Sequence, residues 1–236
     1  MTISIGVQGA SGGVGASSLV AALGLRAAQS GRSVVCVDHR SAGGGLDVVL
    51  GVEQAAGLRW PDLHRARGSL DGAELVPALP MARGVGVVAC DRRHPHEIPP
   101  AAVDALRRGL DGCVDVVVHD LPPTVAPGWP AVVRGHDLVV LLVGGGATQL
   151  AAGAAVTLLL LEASASGIGV VARTDGQDEA ACVADLLHLP LLGVLRGDRS
   201  AEGCLARGVV PGSARGPLRD LADEVLLAAV LEERAA

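Results

Sequence analysis

The sequence predicts an α/β protein with a mostly parallel sheet and helices on both faces. Three observations carry this reading. Continuous apolar runs such as Val114-Asp-Val-Val-Val-His119 and Leu138-Val-Val-Leu-Leu-Val143 suit strands buried on both faces. These runs alternate with Ala- and Leu-rich stretches of helical spacing, the order that builds a parallel sheet. The chain also opens with an apolar run, a glycine-rich turn and a second apolar run at helical spacing, all between Thr2 and Gln29.

Taken in order, Thr2-Ile-Ser-Ile-Gly-Val-Gln8 reads as a buried first strand. Gly9 to Ser18 is a turn, and Ser17 to Gln29 places Leu19, Val20, Leu23 and Ala27 on one helical face. Further strands are predicted at 33–38, 84–90, 114–119, 137–143, 168–173 and 191–195. Pro122–Pro127 and Gly144–Gly146 read as loops inside the domain. The last helix carries Leu218, Leu221, Ala222, Val225, Leu226 and Ala229 as a stripe suited to packing on the sheet. Its polar side sets Asp220, Asp223, Glu224, Glu232 and Glu233 against Arg219 and Arg234, whereas a helix lying on anionic lipid is basic there.

Composition narrows the class. With 236 residues and 50% hydrophobic content, residues 1–236 are expected to form a single domain around one large core. There is no Phe or Tyr and only Trp60 and Trp129, so stacking platforms for single-stranded nucleic acid are absent. A net charge of −6 also argues against a phosphate-backbone partner. Cys36, Cys90, Cys113, Cys182 and Cys204 are odd in number and contain no C-x-x-C, and no secretory leader is expected ahead of the first strand. They read as structural thiols of a soluble, cytoplasmic protein. The apolar run Leu150–Leu161 falls well short of the roughly 20 residues of a membrane helix, so no membrane-spanning segment is expected.

In open parallel sheets ligands sit at the carboxyl ends of the strands. The segments of interest are therefore Gly9–Ser18, Asp38–Asp47, Asp120–Thr124, Gly144–Gln149 and Arg173–Gln177. The first stands out. A glycine-rich turn between strand and helix lets successive N–H groups point inward, and the helix N-terminus adds partial positive charge, so an anion can rest there. Gly12, Gly13, Val14, Gly15, Ala16, Ser17 and Ser18 are the candidate nucleotide-binding residues. The lysine that such a loop normally extends to the outer phosphates is replaced by Ala16, and all 19 basic residues of the chain are arginines.

Plainer readings exist for several residues. Asp120 at a buried strand end can simply cap neighbouring N–H groups, and Asp47 reads more readily as a helix cap than as a chemical group. His94, His96 and Glu97 do not follow a zinc pattern and read as a solvated loop. Ser17 and Ser18 with His39 or His119 lack the G-x-S-x-G elbow of a hydrolase.

The motifs nevertheless resemble one family. Ser11-Gly-Gly-Val-Gly-Ala-Ser-Ser18 is similar to the deviant Walker A loop of the MinD/ParA P-loop ATPases, Lys-Gly-Gly-Val-Gly-Lys-Thr-Thr. Val34–Asp38, Gly43-Gly-Gly-Leu-Asp-Val-Val-Leu-Gly51 and Val116-Val-Val-His-Asp-Leu-Pro122 resemble the second strand, its following segment and the Walker B strand. Leu189–Leu195, Asp198 and Gly203–Gly208 resemble the late strand and loop. Within that family, Gly-Gly-Gly-Leu-Asp and Gly57-Leu-Arg-Trp-Pro-Asp-Leu63 look most like the CpaE/TadZ branch, and most of all its septum-site-determining homologues in GC-rich bacteria. Many CpaE-type proteins carry a receiver-like domain ahead of this one; none is expected here.

The resemblance implies ATP or ADP with Mg2+ as cofactor, held by Ser17, Asp38 and Asp120, and Asp38 and Asp120 as the catalytic positions if the site is active. It also implies a homodimer and a protein partner in a division, pilus or secretion assembly, with recruitment to pole, septum or membrane. The departures are as specific as the match. Ser11 replaces the signature lysine that crosses to a partner's nucleotide, Ala16 replaces the Walker lysine, and Arg40 replaces the second aspartate of Asp-x-Asp. A charge-assisted hydrogen bond contributes about 1.5–3 kcal/mol, so losing two lysines weakens triphosphate binding by about 10²-fold or more. Phosphoryl transfer depends on positioning and charge neutralisation, and losing one such group costs about 10²–10³ in rate. The expectation is a regulatory or localisation module with weak or no ATP hydrolysis. The alternative is an active switch that uses another basic residue, with Arg40 and Arg173 at strand ends as the candidates.

Overall fold

The computed structural model describes residues 2–41, 45–93, 95–163, 165, 167–197, 203–204 and 207–235. Its strands are β1 (Ile3–Gly9), β2 (Val34–Asp38), β3 (Met81–Ala82), β4 (Val85–Val88), β5 (Val116–Asp120), β6 (Leu138–Gly144), β7 (Ile168–Arg173) and β8 (Leu191–Val194). They form one sheet in the order β3-β4-β2-β5-β1-β6-β7-β8. Every pairing is parallel except that of β3 with β4. The seven expected strands are all present, and β5 runs one residue further than expected, so that it ends on Asp120.

The sequence reading missed β3. It is only two residues long and is set by a tight turn at Arg83 (φ 50°) and Gly84 (φ 88°). Two left-handed residues in succession make the mirror-type turn that matches strand twist in a hairpin. Arg-Gly was the only signal, and it is weaker than Asn-Gly.

Helices connect the strands on both faces: α1 (Ala16–Gln29), α2 (Leu46–Val49), α3 (Trp60–Leu63), α4 (Gly72–Leu75), α5 (Pro100–Leu110), α6 (Trp129–Val133), α7 (Ala147–Glu162), α8 (Gln177–Leu187) and α9 (Pro217–Ala235). Strand side chains alternate between faces. Ile3, Ile5, Val7, Val34, Cys36, Val116 and Val118 therefore form one core with α1 and α9. Val35, Val37, Val117, Val139 and Leu141 form a second core with α5, α7 and α8. In α9, Leu218, Leu221, Ala222, Val225 and Ala229 are buried as the stripe predicted, and Arg26 of α1 pairs with Asp223 at 2.7 Å. The side chains of Glu233 and Arg234 lie outside the described residues.

Among the described residues, no helix is long and apolar enough to cross a membrane. None of the five cysteines is in a disulfide. Cys36 and Cys204 are buried, Cys90 is half-buried, and Cys113 and Cys182 are exposed, so burial accounts for only part of the set that reads as structural thiols.

Candidate functional site

The loop 9–18 leaves the carboxyl end of the central strand β1 and runs into α1. Gly13 (φ 73°) and Gly15 (φ 110°) hold left-handed backbone that disfavours any side chain, and this turns the loop back on itself. Gly15 is the residue before the first turn of α1, so no side chain caps that helix, and its first turn has no acidic residue. Within the helix itself, no acidic side chain answers the partial positive charge of its N-terminus. Among the described residues, no backbone N–H from Ser11 to Ser18 donates to another protein group. Such open donors normally find a partner. Residues 8–18 line a cavity of about 680 Å³ together with Arg40, Leu121, Pro123 and Thr124, among others.

The two carboxylates stand beside it. In-register pairing of β2 with β5 sets Asp38 against Asp120, both on the α1 face. Asp120 is fully buried; its Oδ2 accepts from the Ser17 hydroxyl at 2.6 Å and its Oδ1 from Arg40 Nη2 at 3.4 Å. Among the described residues, no backbone N–H donates to Asp120. Asp38, 1% exposed, takes such donors instead: Oδ1 accepts from the Arg40 N–H and Oδ2 from the Leu46 N–H. Burial raises both acids above the ordinary carboxylate range; the charge of Asp120 raises Asp38 further, while Arg40 and Ser17 pull Asp120 back down. A hydroxyl and two carboxylates are hard oxygen donors of the kind magnesium takes, so Ser17, Asp38 and Asp120 fit that ion by type, although Asp38 already accepts two backbone N–H groups and Asp120 faces Arg40.

The arginines named from the sequence divide their work. Arg40 reaches Asp120 and the cavity. Arg173, at the end of β7, donates through Nη1 to the carbonyls of Gly13 and Val14, both at 3.1 Å, and so clamps the loop from behind. Asp47 serves both as a helix cap, its Oδ1 accepting from the Val48 N–H in the first turn of α2 at 2.9 Å, and as an ion-pair centre. Buried at 3% exposure, it faces Arg92 at 2.7 Å and Arg59 at 3.7 Å.

Sequence reasoning missed how both tryptophans serve this end of the sheet. Trp60 donates its indole N–H to the Asp38 carbonyl at 2.6 Å, and Trp129 donates to Gln8 Oε1 at 2.8 Å. It also missed a chain of buried histidines on the opposite face. His39 Nε2 lies 2.9 Å from His119 Nδ1, and the His119 and His136 rings are 4.6 Å apart. His136 Nδ1 lies 2.9 Å from Ser4 Oγ, and a Cβ at Gly6 would come within 2.8 Å of the His136 ring. Gly43, Gly44, His94 and Asp198 lie outside the described residues. Among the described residues, no group of His, Cys, Asp and Glu side chains is arranged to hold a metal ion by itself.

No protein-family model matches the chain. Uncharacterized proteins from two strains of Mycobacterium tuberculosis are 36% identical over 225 residues. The match takes in 94% of this chain, and the chain spans 62% of those relatives' length. Among solved structures, the septum site-determining protein MinD of Pyrococcus horikoshii, complexed with Mg-ADP, superposes with a TM-score of 0.80 at 21% identity, covering 98% of this chain and 99% of that one. A ParA family ATPase from Chlorobium tepidum gives 0.81 at 18% identity, with 95% and 98% covered. A MinC:MinD cell division complex from Aquifex aeolicus gives 0.77 at 18%, with 95% and 96% covered. What this likeness establishes is the fold, an α/β sheet of the MinD/ParA P-loop type.

Proposed function

We propose that this chain is a nucleotide-sensing relative of the MinD/ParA ATPases that has lost most or all of its hydrolytic power and works as a regulatory or localisation module. The carrying observation is the pairing of an intact loop with a missing charge. The open N–H groups of residues 11–18 line a nucleotide-sized cavity, while the lysine position is Ala16, 6% exposed and packed into the core. Binding rests on the loop amides of Gly12–Ser18, which orient a phosphate chain along the N-terminus of α1. When magnesium is bound, held by Ser17 and Asp120 with Asp38 behind them, it supplies charge neutralisation on the phosphate oxygens. Ser11 and Ala16 are neutral and Arg40 is a cation where a carboxylate would stand, so among the described residues lining the cavity a single positive charge replaces the two lysines and the aspartate of the family pattern.

The partner in this proposal is a protein of a division, pilus or secretion assembly, and the setting is the cytoplasm with recruitment to pole, septum or membrane. The branch-level resemblance to CpaE/TadZ and the MinC-bound state of one structural neighbour support that reading. With Ser11 unable to cross to a second subunit, any homodimer would form independently of nucleotide. One observation favours the alternative of an active switch: the Arg40 guanidinium lies in the cavity. Phosphate release separates the two readings. The purified chain is expected to release phosphate from Mg-ATP no faster than its Asp120→Ala variant. A clear Asp120-dependent rate would establish the active switch instead.

A further inference from the structure

We propose that Arg40 is a tethered counter-cation for the phosphate chain of a nucleotide, so that this site binds nucleotide without a free divalent ion. The inference rests on the reading that loop 11–18 holds phosphate. It goes further by assigning the missing positive charge to one side chain and by predicting a metal requirement unlike that of a lysine-bearing loop.

Elimination is the first part of the argument. The chain has no lysine, and of the residues lining the cavity among those described, Arg40 alone carries a positive charge. Arg173, the other arginine close to the loop, is committed to the carbonyls of Gly13 and Val14. Placement is the second part. Both oxygens of Asp38 are taken up by backbone N–H groups, one of them that of Arg40 itself, which fixes the Arg40 backbone at the end of β2. From there the guanidinium reaches Asp120 at 3.4 Å, while its side chain stays 37% exposed toward the cavity. Spare donor capacity is the third. Among the described residues, the only side-chain hydrogen bond of Arg40 uses Nη2, on Asp120, and the guanidinium is partly exposed at the cavity, so its other terminal nitrogen can take an anion while Asp120 is kept.

The charge arithmetic agrees. Asp120 meets Ser17 and Arg40, so a fixed monocation already occupies the place beside the carboxylate where an added divalent ion would have to compete. A guanidinium presents a planar fork of N–H donors to phosphate oxygens and stays charged at any pH of interest. Its contribution to binding therefore does not depend on dissolved metal.

Calorimetric titration of the whole chain with ADP tests this, in buffer with excess EDTA and in buffer with magnesium, with adenosine as the phosphate-free control. The wild-type dissociation constant is expected to agree within about twofold between the two buffers. Arg40→Ala should weaken ADP binding in EDTA by about tenfold or more, the loss of one charge-assisted contact. Magnesium should restore part of that loss. Arg40→Lys, which keeps the charge, should stay within a few-fold of wild type, and thermal melts of both variants confirm folding. ADP binding by wild type in magnesium alone would overturn the inference and leave the nucleotide reading standing. Equal affinities of wild type and Arg40→Ala in EDTA would likewise overturn it, leaving Arg40 as a structural partner of Asp120. Failure of wild type to bind ADP in either buffer would remove the nucleotide reading itself and the inference with it.

Discussion

The carboxyl end of the sheet presents different chemistry on its two faces. On the α1 side, Asp38 and Asp120 stand beside an open cavity, with loop N–H groups that have no protein partner among the described residues. On the α5 and α6 side, one residue away in sequence, His39 and His119 join His136 in a set of rings, 2–6% exposed. Both sets are buried and polar. The first presents its loop donors to the cavity. The second is linked ring to ring and through Ser4, with His39 Nδ1 buried and without a partner among the described residues, and His119 borders a separate cavity of about 450 Å³. The two faces differ in what they offer: N–H donors on one, neutral imidazoles on the other.

The largest expected contrast between the faces is in acid. Burial first, and neighbouring positive charge second, push His39 and His136 down to about 3 and His119 well below its usual range. These rings stay neutral in the fold but gain protons below about pH 6.5 when the chain unfolds. Their contribution is therefore fully present above that pH and lost as pH falls from about 6.5 toward 3. Each histidine contributes a slope of about 1.4 kcal/mol per pH unit, up to about 4 for three. Asp38 and Asp120 act with the opposite sign. Their raised values mean that the fold holds protons the unfolded chain gives up above about pH 4, so their contribution falls as pH rises. Between about pH 4 and 6.5 the carboxylates partly offset the histidines. Urea denaturation at pH 7, 6 and 5 should show stability falling with acid, and more steeply in an Asp38→Asn, Asp120→Asn double variant. A flat profile in both proteins would mean the histidine face is not the buried set described.

A second test sharpens the cavity side. Ala16→Lys returns a charge to the loop and should tighten ATP binding by about tenfold or more if the loop geometry is intact. Unchanged affinity in a folded variant would reduce residues 9–18 to a strand–helix turn.

The smallest effect concerns the clamp behind the loop. Arg173→Ala removes two hydrogen bonds to loop carbonyls, worth on the order of 1 kcal/mol net, at a half-buried position. Proteolytic cleavage within residues 11–16 should accelerate several-fold while global stability changes little. Unchanged cleavage would show that Val14, only 2% exposed, anchors the loop alone.

How much of this the sequence disclosed follows from the range of each interaction. The seven longer strands were legible because each carries a short Val-, Leu- or Ile-rich run, nearly continuous in the central strands β2 and β6, which are buried along their whole length. The loop was legible because its geometry is written in consecutive glycines. The histidine chain was not: His39, His119 and His136 come from three separate segments and meet only through the strand order β2-β5-β1-β6. The use of Asp47 as a bridge between Arg59 and Arg92 was hidden for the same reason, since a local cap is visible in sequence and a long-range ion pair is not. Arg40 lies between these cases. Its position at a strand end was plain, and its reach to Asp120 needed the fold.

The two indoles hydrogen-bonded to this end of the sheet also give the molecule an optical property. With no tyrosine or phenylalanine, all aromatic emission comes from Trp60 and Trp129. Each is buried and tied to a strand that ends at the cavity, and Trp60 sits 5.9 Å from the His39 ring, close enough for quenching should that ring gain a proton. The intrinsic fluorescence of the unlabelled chain is thus a two-channel gauge of this region, with Trp129 reporting on Gln8 beside the loop and Trp60 on the backbone of Asp38.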